Sequence, residues 1–205
     1  MIRRLFCFRD LKIMVNLVYG VGINDRRYPS SINGKDAREY KLWHSTLERC
    51  YSPKSHKKCP TYIGCSVSEN FKGYSYFHEW CQTQIGFGQE GFQLDKDLIC
   101  KGNKVYSENT CLFLPKQLNT LLLASGASRG HLPVGVSVYR DKFSAQCCTG
   151  KSSKYIGYFQ TIEEAFIRYK QVKEAYIKFK AEQWRQFIDP RAYAALMAYE
   201  VLITD

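Results

Sequence analysis

The sequence predicts an α+β protein of two modules. The first is an amino-terminal strand–strand–helix (ββα) module with flanking helices. The second is a three-stranded antiparallel sheet packed on one long helix. Three observations carry this. Apolar residues recur at helical spacing before residue 85, first as Tyr40, Trp43, Leu47 and Cys50, then as Phe71, Tyr74, Phe77, Trp80 and Cys81. Three short runs, VGVSVY (134–139), KFSAQCCT (142–149) and KYIGYF (154–159), are separated by turn residues and read as strands. Between the two regions, ASGASRGH (124–131) has the small-residue composition of a linker. The predicted order is an extension at 1–18, the ββα module at 19–123, the linker at 124–131, the sheet–helix module at 132–188 and a final helix over 189–205.

Composition narrows the function. The chain has 205 residues, 45% apolar and 15% aromatic, which is enough to form packed cores. Its formal charge is +11, with aromatic residues interleaved among the basic ones, and the commonest partner for such a field is nucleic acid. The nine cysteines include no C-x-x-C pair. A zinc site built from Cys50, Cys59, Cys65 and His56 ranks below buried thiols, so zinc is not expected. Arg9, Asp10 and Lys12 interrupt the apolar run of residues 1–18. That excludes a membrane span and points to a cytoplasmic protein with no membrane partner. Met14 is an alternative start, which would leave the first thirteen residues outside the fold.

Along the chain, residues 19–38 read as a surface loop rich in Gly, Ser, Asn and Asp. Residues 39–51 form an amphipathic helix. Residues 52–64 form a basic loop whose Lys54, Lys57 and Lys58 can meet phosphate. The aromatic stripe over 70–85 is a helix whose rings belong to the core. After a glycine-rich turn comes LDKDLICKGNKVYSENTCLFLPKQLN, residues 94–119. Its apolar runs Leu98–Cys100 and Cys111–Leu114 flank a polar loop holding Asn103 and Asn109, and a short helix carries Asn119. Thr161 and Glu164 make a capping box that starts a helix at about residue 162. Phe166, Tyr169, Val172, Tyr176 and Phe179 form its apolar face. Asp189–Pro190 opens the last helix.

Strand alternation places Val136, Val138, Ala145, Cys147, Ile156 and Phe159 toward that long helix. Ser137, Tyr139, Gln146, Cys148 and Tyr155 fall on the open face, with Arg140, Lys142 and Lys154 near the strand ends. Residues 129–182 resemble the APETALA/ethylene-response-factor DNA-binding domain. Gly135-Val136, Phe143-Ser-Ala145 and Tyr155-Ile-Gly-Tyr-Phe159 carry the resemblance. It implies that the open face enters the major groove of double-stranded DNA through Arg129, Ser137, Tyr139, Arg140, Lys142, Gln146, Lys154 and Tyr155. The chain departs from that family where Ser137, Gln146 and Tyr155 stand in place of arginine or tryptophan.

The stretch from Leu94 to Asn119 resembles the HNH (His-Asn-His) motif of phage homing endonucleases. That motif holds one divalent metal and sets a base beside it to activate water against phosphate. The resemblance implies Asp95, Asp97 and Asn119 as ligands for Mg²⁺ or Mn²⁺, with Asp95 and Lys96 at the catalytic positions. Lys96 stands where the family has histidine, and an ordinary lysine, with a pKa of about 10.4, is a poor general base at neutral pH. The favoured expectation is a phage-type DNA-binding protein with a degenerate nuclease site. The alternatives are an active metal-dependent nicking endonuclease, and an interaction protein that binds a host factor through the open face.

Overall fold

The computed structural model describes residues 16–122, 131–149 and 152–205. The chain is a mixed α+β protein that divides into two compact units after Glu79. The elements run β1 (Ser31–Ile32), β2 (Lys35–Asp36), α1 (Arg38–Tyr51), α2 (Pro53–Lys58), β3 (Ser66–Val67), α3 (Tyr74–Thr83), β4 (Phe92–Asp95), β5 (Val105–Tyr106), β6 (Leu112–Pro115), α4 (Lys116–Leu122), β7 (Val136–Tyr139), β8 (Lys142–Cys148), β9 (Ser153–Phe159), α5 (Ile162–Trp184) and α6 (Pro190–Met197).

The first unit has an aromatic core. Trp43 and Leu47 of α1 are buried against Phe71, Tyr74 and Phe77. The buried Trp43 indole N–H donates to the Phe71 carbonyl at 2.8 Å, which satisfies the one polar atom of that side chain. Tyr40 meets Tyr74 edge-on at 5.3 Å, and Phe71 meets Phe77 at 5.0 Å. The segment read as a surface loop, 19–38, contains a hairpin. β1 and β2 pair antiparallel, and Asn33 and Gly34 turn between them with φ of 51° and 75°. Asn-Gly is the pair that tolerates such a turn best. The segment read as a basic loop, 52–64, instead holds α2, with Pro53 in its first turn and the Ser52 hydroxyl as cap. Lys54, Lys57 and Lys58 are exposed on that short helix.

In the second unit, β4 and β6 pair antiparallel from Phe92↔Pro115 to Asp95↔Leu112, and α4 follows β6 directly. The first strand therefore lies at 92–95. Leu98–Cys100, expected as strand, lies in the bends after it, where Leu98 is buried as a plug of the core. The three carboxy-terminal strands form one antiparallel sheet in the order β7-β8-β9. A two-residue turn at Arg140–Asp141 joins the first two, with Tyr139 opposite Lys142.

The helix α5 begins as its sequence dictates. The Thr161 hydroxyl accepts from the Glu164 N–H, and the Glu164 carboxylate accepts from the Thr161 N–H. Its 23 residues serve two cores in succession. Ala165, Phe166 and Tyr169 cover Val136, Ala145 and Cys147 of the sheet. Ile177 and Ala181 join Leu112, Leu114 and Leu118 of the β4/β6/α4 layer and Ile188, Ala192 and Leu196 around α6. Each of these leucine and isoleucine side chains, fully buried, contributes roughly 1.5–3 kcal/mol. Two expected core residues are exposed. Phe179 is 55% accessible because the buried stripe has moved round to Ile177 and Ala181, and Val138 is 62% accessible near the hairpin end of β7.

Gly135 fixes how closely the sheet approaches α5. Its φ is +77°, and a Cβ there would lie 2.1 Å from Cδ2 of Tyr169. Gly135→Ala is expected to destabilise the protein by about 2–4 kcal/mol, combining a left-handed backbone penalty with overpacking. Denaturant unfolding measures this, and a change below about 1 kcal/mol would contradict the packing described.

Candidate nucleic-acid interface and the 95–103 loop

The loop after β4 is closed by its own polar groups. One oxygen of Asp95 accepts from the N–H groups of Asp97 and Leu98 at 2.9 and 2.8 Å. Burial pushes the Asp95 carboxyl above the ordinary carboxylate range, and those two N–H donors pull it partly back. Lys96 is only 7% accessible. Its ammonium pairs with the Asp97 carboxylate, donates to the Asn103 carbonyl at 2.7 Å and sits 5.6 Å from the Tyr106 ring centroid. Asn103 completes the clasp. Its amide donates to the carbonyls of Lys96 (2.8 Å) and Val105 (2.7 Å), and its oxygen accepts from the Val105 N–H. Burial also pushes the Cys111 thiol up to about 12, so this neighbour is no nucleophile at neutral pH.

The structure thus brings Asp95, Lys96, Asp97 and Asn103 together, as a set of mutually satisfied partners. Asn119 stands on α4, half-buried. A divalent cation placed at Asp97 would meet the Lys96 ammonium that already neutralises it, and Mg²⁺ needs several free oxygen ligands. Among the described residues no group of three or more His, Cys, Asp or Glu side chains is gathered for a metal. As folded, the Asp97 carboxylate is taken by the Lys96 ammonium, and one oxygen of Asp95 by two backbone N–H groups. In the first unit the His56 Nε2 lies 3.0 and 3.2 Å from the carbonyls of Arg49 and Cys50, so that ring is occupied by backbone.

The sheet leaves one face uncovered by α5. Ser137, Tyr139, Gln146, Cys148 and Tyr155 are exposed on it. Lys142 shares this face, because it lies opposite Tyr139 and alternates with buried Phe143-side neighbours of the core. Arg140 occupies the turn with φ +55°, its guanidinium 5.5 Å from the Tyr139 ring centroid. Lys154 differs from the expectation. It pairs with Cys147, whose side chain faces α5, so Lys154 leaves the sheet from the helix side and is exposed at the rim. Arg129 lies outside the described residues.

Two features of this surface escape simple alternation. The β8–β9 register shifts by one residue between Ala145↔Gly157 and Gln146↔Tyr155, so β9 carries a bulge at Ile156. The bulge turns both Tyr155 and Tyr158 to the open face, and Tyr158 was missing from the expected set. The signal was present: Ile156 and Phe159 cannot both face the helix in a regular strand. In addition, Ser137, Gln146, Cys148 and Ser153 continue into a cleft of about 1060 Å³ that also takes in Lys116, Lys173 and Lys180. Lys173, Tyr176, Lys180 and Trp184 line it at helical spacing along α5. Among the described residues no helix is long and apolar enough to cross a membrane. No protein family, curated protein or solved structure matches the chain at a significant level.

The Asp95 turn makes a separable prediction. Asp95→Ala removes the acceptor for two N–H groups and should lower stability by about 1–2 kcal/mol. Asp95→Asn keeps an acceptor and cannot ionise. Because the folded carboxyl is raised, the wild type loses stability as pH rises from the ordinary aspartate value through the folded one. Asp95→Asn should therefore gain on the wild type across that window. Thermal unfolding of the three proteins at several pH values checks both effects, and parallel curves for wild type and Asp95→Asn would refute the burial of the charge.

Proposed function

We propose that this chain is a DNA-binding protein related to phage HNH homing endonucleases, with the nuclease site degenerate. It engages duplex DNA through the open face of β7-β8-β9. The observation that carries the reading is that face. It lies on the side of the sheet away from α5, it presents Ser137, Gln146 and three tyrosines, and it is edged by Arg140 and Lys142. Asp141 is the only acidic residue between 132 and 162. A twisted antiparallel sheet of this width fits the major groove, and charged side chains at its edge meet phosphate. Lys54, Lys57 and Lys58 add further phosphate contacts from the first unit.

An active metal-dependent endonuclease is the second reading, and the antiparallel β4/β6 pair followed by α4 favours it. The pairing of Lys96 with Asp97 and Asn103 speaks against it, because the residue at the base position is fixed as a donor.

The DNA reading predicts a steep salt dependence, since cationic side chains displace condensed counterions. With Arg140, Lys142, Lys54, Lys57 and Lys58 each meeting a phosphate, log affinity for a duplex should fall against log salt with a slope of roughly −4 to −5. Lys142→Gln should reduce that slope by about one. Fluorescence anisotropy across a salt series measures both. An affinity that does not change with salt would overturn the proposal.

A further inference from the structure

Three tyrosines form one aromatic cluster on the open face. Tyr139 and Tyr158 stack with ring centroids 4.7 Å apart and 25° between planes, and Tyr155 lies 5.0 Å from Tyr158. All three are about half exposed, at 45%, 51% and 48% for Tyr139, Tyr155 and Tyr158. The sheet builds this cluster deliberately in its geometry: without the bulge at Ile156, Tyr155 and Tyr158 would leave opposite faces of β9. The face beside the rings is polar, with the hydroxyls of Ser137 and Ser144 bonded to each other at 2.8 Å, and about half of each tyrosine stays open to solvent.

Paired bases in a duplex show a groove only their edges, and their π faces are already stacked on one another. An exposed group of aromatic rings on a sheet is of use to bases that are not stacked in a helix, because every such base offers a π face. The charge beside the rings suits the same ligand. The Arg140 guanidinium lies 5.5 Å from the Tyr139 ring centroid and Lys142 pairs with Tyr139 across the hairpin, so two cations stand beside the rings.

We propose that the Tyr139–Tyr155–Tyr158 cluster stacks unpaired bases, so that the open face holds DNA containing unpaired nucleotides more tightly than a fully paired duplex. The inference rests on the DNA-binding reading and adds the structural class of DNA to it. The phosphate contacts serve both forms, and stacking serves one.

The test uses the full chain and labelled oligonucleotides of one sequence in three forms: single strand, perfect duplex, and duplex with an internal run of unpaired bases. Anisotropy at fixed salt should show the forms with unpaired bases binding about tenfold or more tightly than the duplex, the scale of base–aromatic stacking. Tyr155→Leu/Tyr158→Leu should bring the ratio between the forms close to one, while Tyr155→Phe/Tyr158→Phe, which keeps the rings, should preserve it. Lys142→Gln should weaken all three forms together. Equal affinity for the three forms, tighter binding of the duplex, or a preference that survives in the leucine variant overturns the stacking inference and leaves DNA binding standing. Binding to none of the three forms overturns both.

Discussion

The second unit depends on one helix serving two cores. The first half of α5 seals a single face of the β7-β8-β9 sheet through Ala165, Phe166 and Tyr169. Its second half, through Ile177 and Ala181, belongs to the layer made by β4, β6, α4 and α6. A helix of this length has enough turns to carry two apolar stripes at different angles, and the change of stripe explains why Phe179 is left outside. The consequence for function is geometric. The helix is used up on one side of the sheet, so it leaves the other side uncovered, and the close approach at Gly135 and Tyr169 fixes its position.

The 95–103 loop illustrates how a site-like sequence can be consumed by structure. A polar loop between two strands must satisfy its backbone groups without water wherever it is buried. Here Asn103 does so on three sides, Asp95 holds the start of the loop, and Lys96 fills the space against Tyr106. The same residue types that would hold a metal and activate water are hydrogen-bonded to their neighbours. A lysine at position 96 suits this role, since three donors on a flexible stem can reach both the Asp97 carboxylate and the Asn103 carbonyl.

Much of the fold was legible because its signals are local. The capping box at Thr161–Glu164, the Asp189 cap of α6 and the helical stripes of α1 and α3 each need only a few neighbouring residues. The three carboxy-terminal strands were readable for the same reason, from turn residues and β-rich runs. The misses have distinct causes. Asn33-Gly34 carried a clear turn signal inside a segment too polar to suggest strands. Leu98 reads as strand but is buried as a loop plug, which requires knowing its tertiary partners. The bulge at Ile156 is a register event between two strands, visible in the sequence only as the conflict between Ile156 and Phe159. The sequence offered Asp95, Lys96, Asp97 and Asn119 as one site; that Lys96 reaches both Asp97 and Asn103 depends on a loop closure across seven residues. The cleft lysines Lys116, Lys173 and Lys180 come from different elements, so no single segment announces them.

We propose that the 95–103 loop is a closed structural clasp in a protein that binds DNA. The most direct measurement is a gel assay of purified protein with supercoiled plasmid, with and without Mg²⁺ or Mn²⁺, beside the Asp95→Ala variant. The account predicts plasmid that is shifted and left uncut under every metal condition. Metal-dependent nicking that disappears in Asp95→Ala would contradict it and show a working nuclease centre at this loop.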